Sequence, residues 1–162
     1  FMNVGTSSYY YRKWKGKELQ LASKKKIYIL EAAAMFMTFV INADSLKESN
    51  INMLGDNEGL VASFHWCGSS VPIVNAIIRE FVKLLSKVDI VLNCDVDRFQ
   101  TGWIDTHEMK GADALSRDAL DEFKQYVQEK FPEKTFTEIP NTDSRVLLAE
   151  KLWKKILDTY VK

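Results

Sequence analysis

Cysteine is scarce in this sequence, whose 162 residues include only Cys67 and Cys94. Two cysteines cannot build a disulfide framework, and together with His65 and His107 they match no zinc-ligand spacing. We therefore expect a reducing, intracellular location, either cytoplasmic or nuclear. Proline and glycine are also few, at three and seven residues, which excludes collagen-like and low-complexity chains.

Long hydrophobic runs are missing as well. The longest apolar stretch, residues 27–41, contains Glu31 and is shorter than the ~20 residues that a membrane span needs, so we expect no membrane partner. No signal peptide is visible at the start of the sequence. The first residue is Phe1 rather than Met, which indicates a segment of a longer polypeptide.

Net charge is absent, since 22 basic residues balance 22 acidic ones, but the charges are unevenly spread. Residues 1–26 carry seven basic side chains and a single acidic one, Glu18. A basic edge beside an acidic remainder suits a protein that holds a polyanion while binding cations. Lysines that only keep an edge hairpin soluble would give the same pattern, and charge alone leaves both interpretations open.

The order of predicted elements favours a mixed α/β fold. Short apolar and aromatic runs predict strands over residues 1–4, 8–14, 18–21, 50–55 and 89–94, with a hairpin turn at 15–17. The spacing of apolar residues predicts helices over residues 27–41, 58–65, 112–130 and 144–161, and a helix that starts at Pro72. Residues 95–109 are expected to form a loop. Antiparallel strands followed by alternating helices and strands indicate a mixed sheet with helices packed on it.

Three acidic residues stand at the ends of predicted elements. Glu31 lies near the start of the apolar helix, Asp56 follows a strand, and Asp113 lies at the start of a helix. Each has a local explanation, because a carboxylate stabilises or caps a helix N-terminus. Together they also suit phosphodiester hydrolysis, in which two divalent cations about 4 Å apart activate water and stabilise the leaving oxygen.

Four short motifs occur in a fixed order along residues 1–117. They are Leu30-Glu31, Gly55-Asp56-Asn57, Gly68-Ser69-Ser70 and Ala112-Asp113-Ala114-Leu115-Ser116-Arg117. In this order the sequence resembles the RNase H domains of retroelement reverse transcriptases, above all those of DIRS-type and related retrotransposons. The last motif is fairly specific, whereas the others are informative only in combination.

The resemblance implies an RNase H-like mixed five-stranded sheet over residues 1–117, with a helical C-terminal extension over residues 118–162. It implies a ribonuclease H-like endonuclease that cleaves the RNA strand of RNA/DNA hybrids during reverse transcription, next to a covalently linked reverse transcriptase domain. Glu31, Asp56 and Asp113 would be the catalytic carboxylates and hold two Mg²⁺ ions, for which Mn²⁺ can substitute. Asp56 would bridge the two ions.

The sequence departs from this family at the front, because the family's first strand carries a metal-binding Asp. Asn3 is the best positional match here, and no acidic residue precedes Glu18. An engineered change, a natural loss of activity and a misaligned first strand would each explain Asn3. His107 lies in the loop before Asp113, where related proteins often place a histidine, and it is either a proton-transfer residue or a solvated loop residue.

Nucleic-acid contacts are expected in two places. Arg12 and Lys13 lie among aromatic residues that can stack on bases, and Asn57, Ser69 and Ser70 offer amide and hydroxyl groups to a backbone or to 2′-hydroxyls. Two further interpretations stay open. One is a catalytically impaired RNase H-like module that binds nucleic acid or scaffolds a polymerase, and the other is a resolvase or transposase core on the same fold.

Overall fold

Helices predominate in the computed structural model, which describes residues 1–23, 26–47, 50–88, 99–105 and 107–161. The helices are α1 (Lys17–Ser23), α2 (Ile27–Leu46), α3 (Glu58–His65), α4 (Pro72–Lys87), α5 (Lys110–Ser116), α6 (Leu120–Lys130) and α7 (Ser144–Tyr160). The strands are β1 (Met2–Asn3), β2 (Ser8–Tyr9), β3 (Ile51–Gly55), β4 (Phe99–Trp103) and β5 (Thr137–Glu138). The mixed α/β class expected from the sequence is confirmed.

The strands described by the structure form two small sheets. In the first, β2 pairs antiparallel with β1 and parallel with β5. In the second, β3 and β4 run parallel, with Ile51 opposite Phe99 and Gly55 opposite Trp103. The described residues therefore do not form one five-stranded sheet. The strand predicted over residues 89–94, which includes Cys94, lies outside them.

Helix α2 forms the centre of the main core, as its apolar sequence predicts. It packs against α4 and α7, and residues on all its sides are buried, including Leu30, Phe36 and Ile41. The helix continues to Leu46, five residues beyond its predicted end, and by length and composition alone it would be able to cross a membrane.

The segment after residue 117 belongs to the same packed body as the residues before it. Trp153 of α7 is buried in the main core beside α2 and α4, and Val146 and Ile156 are buried with it. Strand β5 completes the first sheet. The expected boundary at residue 117 therefore does not divide the protein into two separate cores. The expected C-terminal extension is an integral part of the fold.

Several predicted elements differ from the structure, including the strand predicted over residues 8–14, which is short and covers only Ser8–Tyr9. Residues 18–21 belong to helix α1 rather than to a strand, because the chain turns at Gly16 with a φ of +58° and starts the helix. The helix predicted over residues 112–130 is broken between α5 and α6, where Asp118 has a φ of +62°. Part of the loop predicted over residues 95–109 is strand β4.

Candidate functional site

One cleft of about 2370 Å³ contains most of the site residues predicted from the sequence. Its walls come from β1, α2, β3 and the α5–α6 region, together with the loop before α5. Asn3, Glu31, Asp56, His107 and Asp113 all line it, and only His107 and Asp113 are near each other in the sequence. A shared cleft is compatible with a common site for the three carboxylates, and their convergence on one metal centre stays a prediction.

Glu31 and the segment after β3 are tied together by Asn57. The Nδ2 of Asn57 donates to Oε2 of Glu31 at 2.8 Å, and its Oδ1 accepts from the backbone N–H of Leu60 at 3.1 Å. Asn57 is therefore the N-cap of α3, and Asp56 is not the cap. The backbone carbonyl of Asp56 accepts from Nε1 of Trp103 at 3.1 Å, which joins this corner to the end of β4.

Asp113 is held by an arginine from the end of its own motif. Nε and Nη2 of Arg117 both donate to Oδ2 of Asp113, at 3.1 and 3.0 Å, and Nη2 also reaches Oε2 of Glu122 at 3.0 Å. The hydrogen bonds that Arg117 donates to Asp113 and then to Glu122 raise the pKa of its guanidinium. Met109, not Asp113, is the N-cap residue of α5, so the capping explanation for Asp113 does not hold.

Asn3 lies at the other end of α2 from Glu31. Its Nδ2 donates to Oδ1 of the buried Asn42 at 2.8 Å, and its Oδ1 accepts from the backbone N–H of Thr6 at 3.1 Å. Asn42 and Glu31 are about 16 Å apart along the helix axis, at 1.5 Å per residue. The structure therefore does not bring Asn3 to Glu31, which favours a misaligned first strand over a replaced metal ligand.

The ligand chemistry of the cleft suits a hard cation, because Glu31, Asp56 and Asp113 present the carboxylate oxygens that Mg²⁺ prefers. Asn57 holds the first of these carboxylates and Arg117 the third. Within the part of the chain that the structure describes, no three His, Cys, Asp or Glu side chains are grouped closely enough to hold one ion. The donor set thus fits Mg²⁺ in chemistry, and two of its members are engaged by other side chains.

Arg12 has a different environment from the one expected of a phosphate contact. Its side chain is only 10% exposed and forms ion pairs of 2.5 Å with both Glu18 and Glu150. Burial between two carboxylates leaves the guanidinium unavailable to nucleic acid, so the prediction for Arg12 is wrong. Lys13 is exposed, lines the cleft, and pairs with Asp118 at 2.9 Å.

The remaining predicted residues divide between the cleft and its surroundings. Asn57 lines the cleft, but both ends of its side chain are engaged within the protein. The Oγ of Ser69 accepts from the backbone N–H of Val71 before α4, and neither Ser69 nor Ser70 belongs to the cleft lining. His107 is exposed in the loop before α5, where its backbone N–H donates to Oδ1 of Asp105 at 2.8 Å.

Sequence reasoning missed Arg117 and Asn42 as partners of the site. The four-residue spacing between Asp113 and Arg117 was the available signal for the first, because such residues lie side by side on a helix. For Asn42 the signal was an amide in an otherwise apolar helix, since a buried amide needs a hydrogen-bond partner. The first signal identifies the local pair, whereas the second does not reveal that the partner of Asn42 is Asn3, 39 residues earlier.

No protein-family model, curated protein or solved structure matches this chain.

Proposed function

We propose that this chain is an RNase H-like hydrolase domain that cleaves the RNA strand of RNA/DNA hybrids within the polyprotein of a reverse-transcribing element. One observation carries the proposal. Glu31, Asp56 and Asp113 come from three separate segments and line the same cleft, together with His107. The three carboxylates are those in the ordered motifs, and acidic residues at one cleft suit metal-assisted phosphodiester hydrolysis.

The RNase H-like sheet is the finer part of this proposal. The described elements run in the order strands β1 and β2, helices α1 and α2, strand β3, helices α3 and α4, and strand β4 parallel to β3, which supports it from α2 onward. A parallel pair joined through helices is a βαβ crossover. In the proposed fold β1 and β3 are neighbours, whereas the described strands pair them in separate sheets that both line the cleft.

Basic side chains along the cleft give it a means to hold the polyanionic substrate. Besides the mostly buried Arg12, those that line it are Lys13, Lys110, Arg117 and Lys130. Contacts of this type fix the register of a nucleic acid without reading its sequence. Discrimination in favour of a hybrid then depends on donors that reach the 2′-hydroxyls of the RNA strand.

The three carboxylates would hold Mg²⁺ or Mn²⁺, which when bound supplies an activated water and stabilises the leaving oxygen. Asn57 orients Glu31 through its 2.8 Å hydrogen bond, and β3 fixes the position of Asp56. The imidazole of His107 can carry a proton at the exposed side of the cleft. Water adds to phosphorus as the bond to O3′ breaks, which leaves a 3′-hydroxyl and a 5′-phosphate.

A cleavage assay with labelled substrates tests the proposal. The wild type should cut the RNA strand of a hybrid in the presence of Mg²⁺ or Mn²⁺ and leave duplex and branched DNA intact. Asp56→Asn should abolish cleavage, whereas Asp121→Asn should not, because Asp121 is exposed on α6 and outside the cleft lining. Equal activity of the two variants would contradict the proposal, and cleavage of branched DNA would favour a resolvase or transposase core.

A second candidate is a catalytically impaired module that binds nucleic acid or scaffolds a neighbouring polymerase domain. The observation in its favour is that two of the three carboxylates are engaged by other side chains, Glu31 by Asn57 and Asp113 by Arg117. For this candidate, the wild-type protein should bind the hybrid but should not cleave it with either Mg²⁺ or Mn²⁺ present. The same assay, combined with a binding measurement, therefore separates the two candidates.

A further inference from the structure

The corner between α5 and α6 places cations directly on the acidic wall of the cleft. Arg117 bonds Asp113 and Glu122, and Lys13 pairs with the adjacent Asp118. All five side chains line the cleft. None is deeply buried, since the side chains of Arg117 and Asp113 are 53% and 42% exposed.

Arg117 would compete with a metal ion for the carboxylate of Asp113. Its Nε and Nη2 both donate to the single oxygen Oδ2 of Asp113, so one oxygen accepts two charge-assisted hydrogen bonds. A divalent cation at that oxygen would be repelled by the guanidinium beside it. Exposed ion pairs contribute only ~0.2–1 kcal/mol, so this pair can be exchanged for another at little cost.

The guanidinium has an alternative partner of matching shape in a nucleic-acid backbone. Its planar fork of donors fits the oxygens of a phosphate as well as those of a carboxylate. We propose that Arg117 is a positioning residue that holds Asp113 while the cleft is empty and moves to a backbone phosphate when cation and nucleic acid enter. This inference rests on the proposed function, because it assigns Arg117 to the same cleft.

The chain offers a matched control in Arg145. Its Nε and Nη2 donate to Oδ1 and Oδ2 of Asp143 at 2.9 and 2.8 Å, so it also forms an arginine–aspartate ion pair with two hydrogen bonds. Arg145 and Asp143 do not belong to the cleft lining. A change at Arg145 therefore removes an arginine–aspartate pair without touching the candidate site.

The test measures Mn²⁺ binding and hybrid binding for the wild type, Arg117→Gln, Arg117→Lys and Arg145→Gln. Mn²⁺ binding is followed by electron paramagnetic resonance, and hybrid binding by fluorescence anisotropy at several salt concentrations. Arg117→Gln should bind Mn²⁺ about fivefold more tightly, because the competing charge is gone, and hybrid about fivefold more weakly. The slope of hybrid affinity against salt should also fall by about one phosphate contact.

Arg117→Lys should keep the wild-type salt slope with intermediate affinities, because lysine retains the charge but lacks the fork. Arg145→Gln should match the wild type in every measurement. If Arg117→Gln also matches the wild type while the wild type binds hybrid, Arg117 does not have this role and the proposed function still stands. If the wild type binds no hybrid, both proposals fall.

Discussion

The indole Nε1 of Trp153 donates a 2.6 Å hydrogen bond to Oε1 of Glu18, a residue 135 positions earlier in the chain. The same carboxylate accepts from Arg12 and from the backbone N–H of Lys15. Glu18 is only 4% exposed, so these three donors replace the water that burial removed. The contact joins α7 to the first turn of α1.

Trp153→Phe should lower the free energy of unfolding by about 1–3 kcal/mol, since it removes a donor to a buried carboxylate and leaves space in the core. Trp66→Phe is the matched control, because Trp66 is 78% exposed and its replacement should have an effect within ~0.5 kcal/mol. Urea denaturation followed by circular dichroism measures both. Similar losses of unfolding free energy in the two variants would show that the buried hydrogen bond of Trp153 does not stabilise the protein.

Glu18 also predicts how stability depends on pH. Burial alone raises the pKa of this carboxyl, but hydrogen bonds from Arg12, Lys15 and Trp153 outweigh burial and hold it below 4.5. A group whose pKa is depressed by folding stabilises the protein above its unfolded-state pKa. That stability should be lost as the pH falls from about 4.5 through the folded-state pKa.

Glu18→Gln should therefore flatten the acid limb of a plot of unfolding free energy against pH. Its stability at pH 7 should fall towards the value that the wild type reaches in acid. Glu133→Gln provides the comparison, because Glu133 is exposed and its replacement should leave the limb unchanged. If the acid limb of Glu18→Gln is as steep as that of the wild type, the loss of stability in acid comes from other carboxylates.

Asn3→Asp should not increase cleavage of hybrid, because Asn3 lies beside Asn42 rather than Glu31. The variant should be less stable by ~1 kcal/mol, since an aspartate cannot donate to Oδ1 of Asn42. Asn52→Asp is a suitable control, being an exposed residue of β3 that lines the same cleft. A gain of orders of magnitude in activity, confined to Asn3→Asp, would instead identify Asn3 as the first-strand ligand.

Gly111 and Gly59 should respond in opposite directions to alanine. A Cβ at Gly111 would lie 2.5 Å from Sδ of Met2 and 2.8 Å from the ring of Tyr126, so Gly111→Ala should cost ~1–3 kcal/mol. Gly59 is exposed within α3, where Gly59→Ala should gain up to ~1 kcal/mol through helix propensity. Thermal unfolding of both variants decides, and a stabilised Gly111→Ala would contradict the close packing of α5 on β1 and α6.

The helices that follow from local pattern were predicted well from the sequence. α3 begins and ends as predicted, α4 starts at Pro72, and α7 differs from its prediction by one residue at its end. In α4 and α7 the apolar spacing that forms a helix also forms its buried face, so one local signal is sufficient. Glu31, Asp56 and Asp113 line one cleft, and their convergence on a metal centre stays a prediction.

The failures are the places where a distant partner decides the conformation. Glu18 was read as part of a strand, because nothing near it in sequence reveals the bond to Trp153. Asn3 was placed at the metal site, whereas Asn42 holds its side chain elsewhere. The break at Asp118 requires a left-handed backbone that a non-glycine residue adopts rarely, and its pairing with Lys13 is non-local.

The bond between Glu18 and Trp153 has a consequence for how the polypeptide folds during synthesis. The ribosome releases Arg12 and Glu18 long before Trp153, and at ~5–20 residues per second the interval lasts seconds or more. Throughout that interval the nascent chain lacks both α7 and β5, the neighbours that close its main core and its first sheet. Contacts of such long sequence separation also slow folding, so the flank of α2 that α7 covers stays exposed until the last helix has been made.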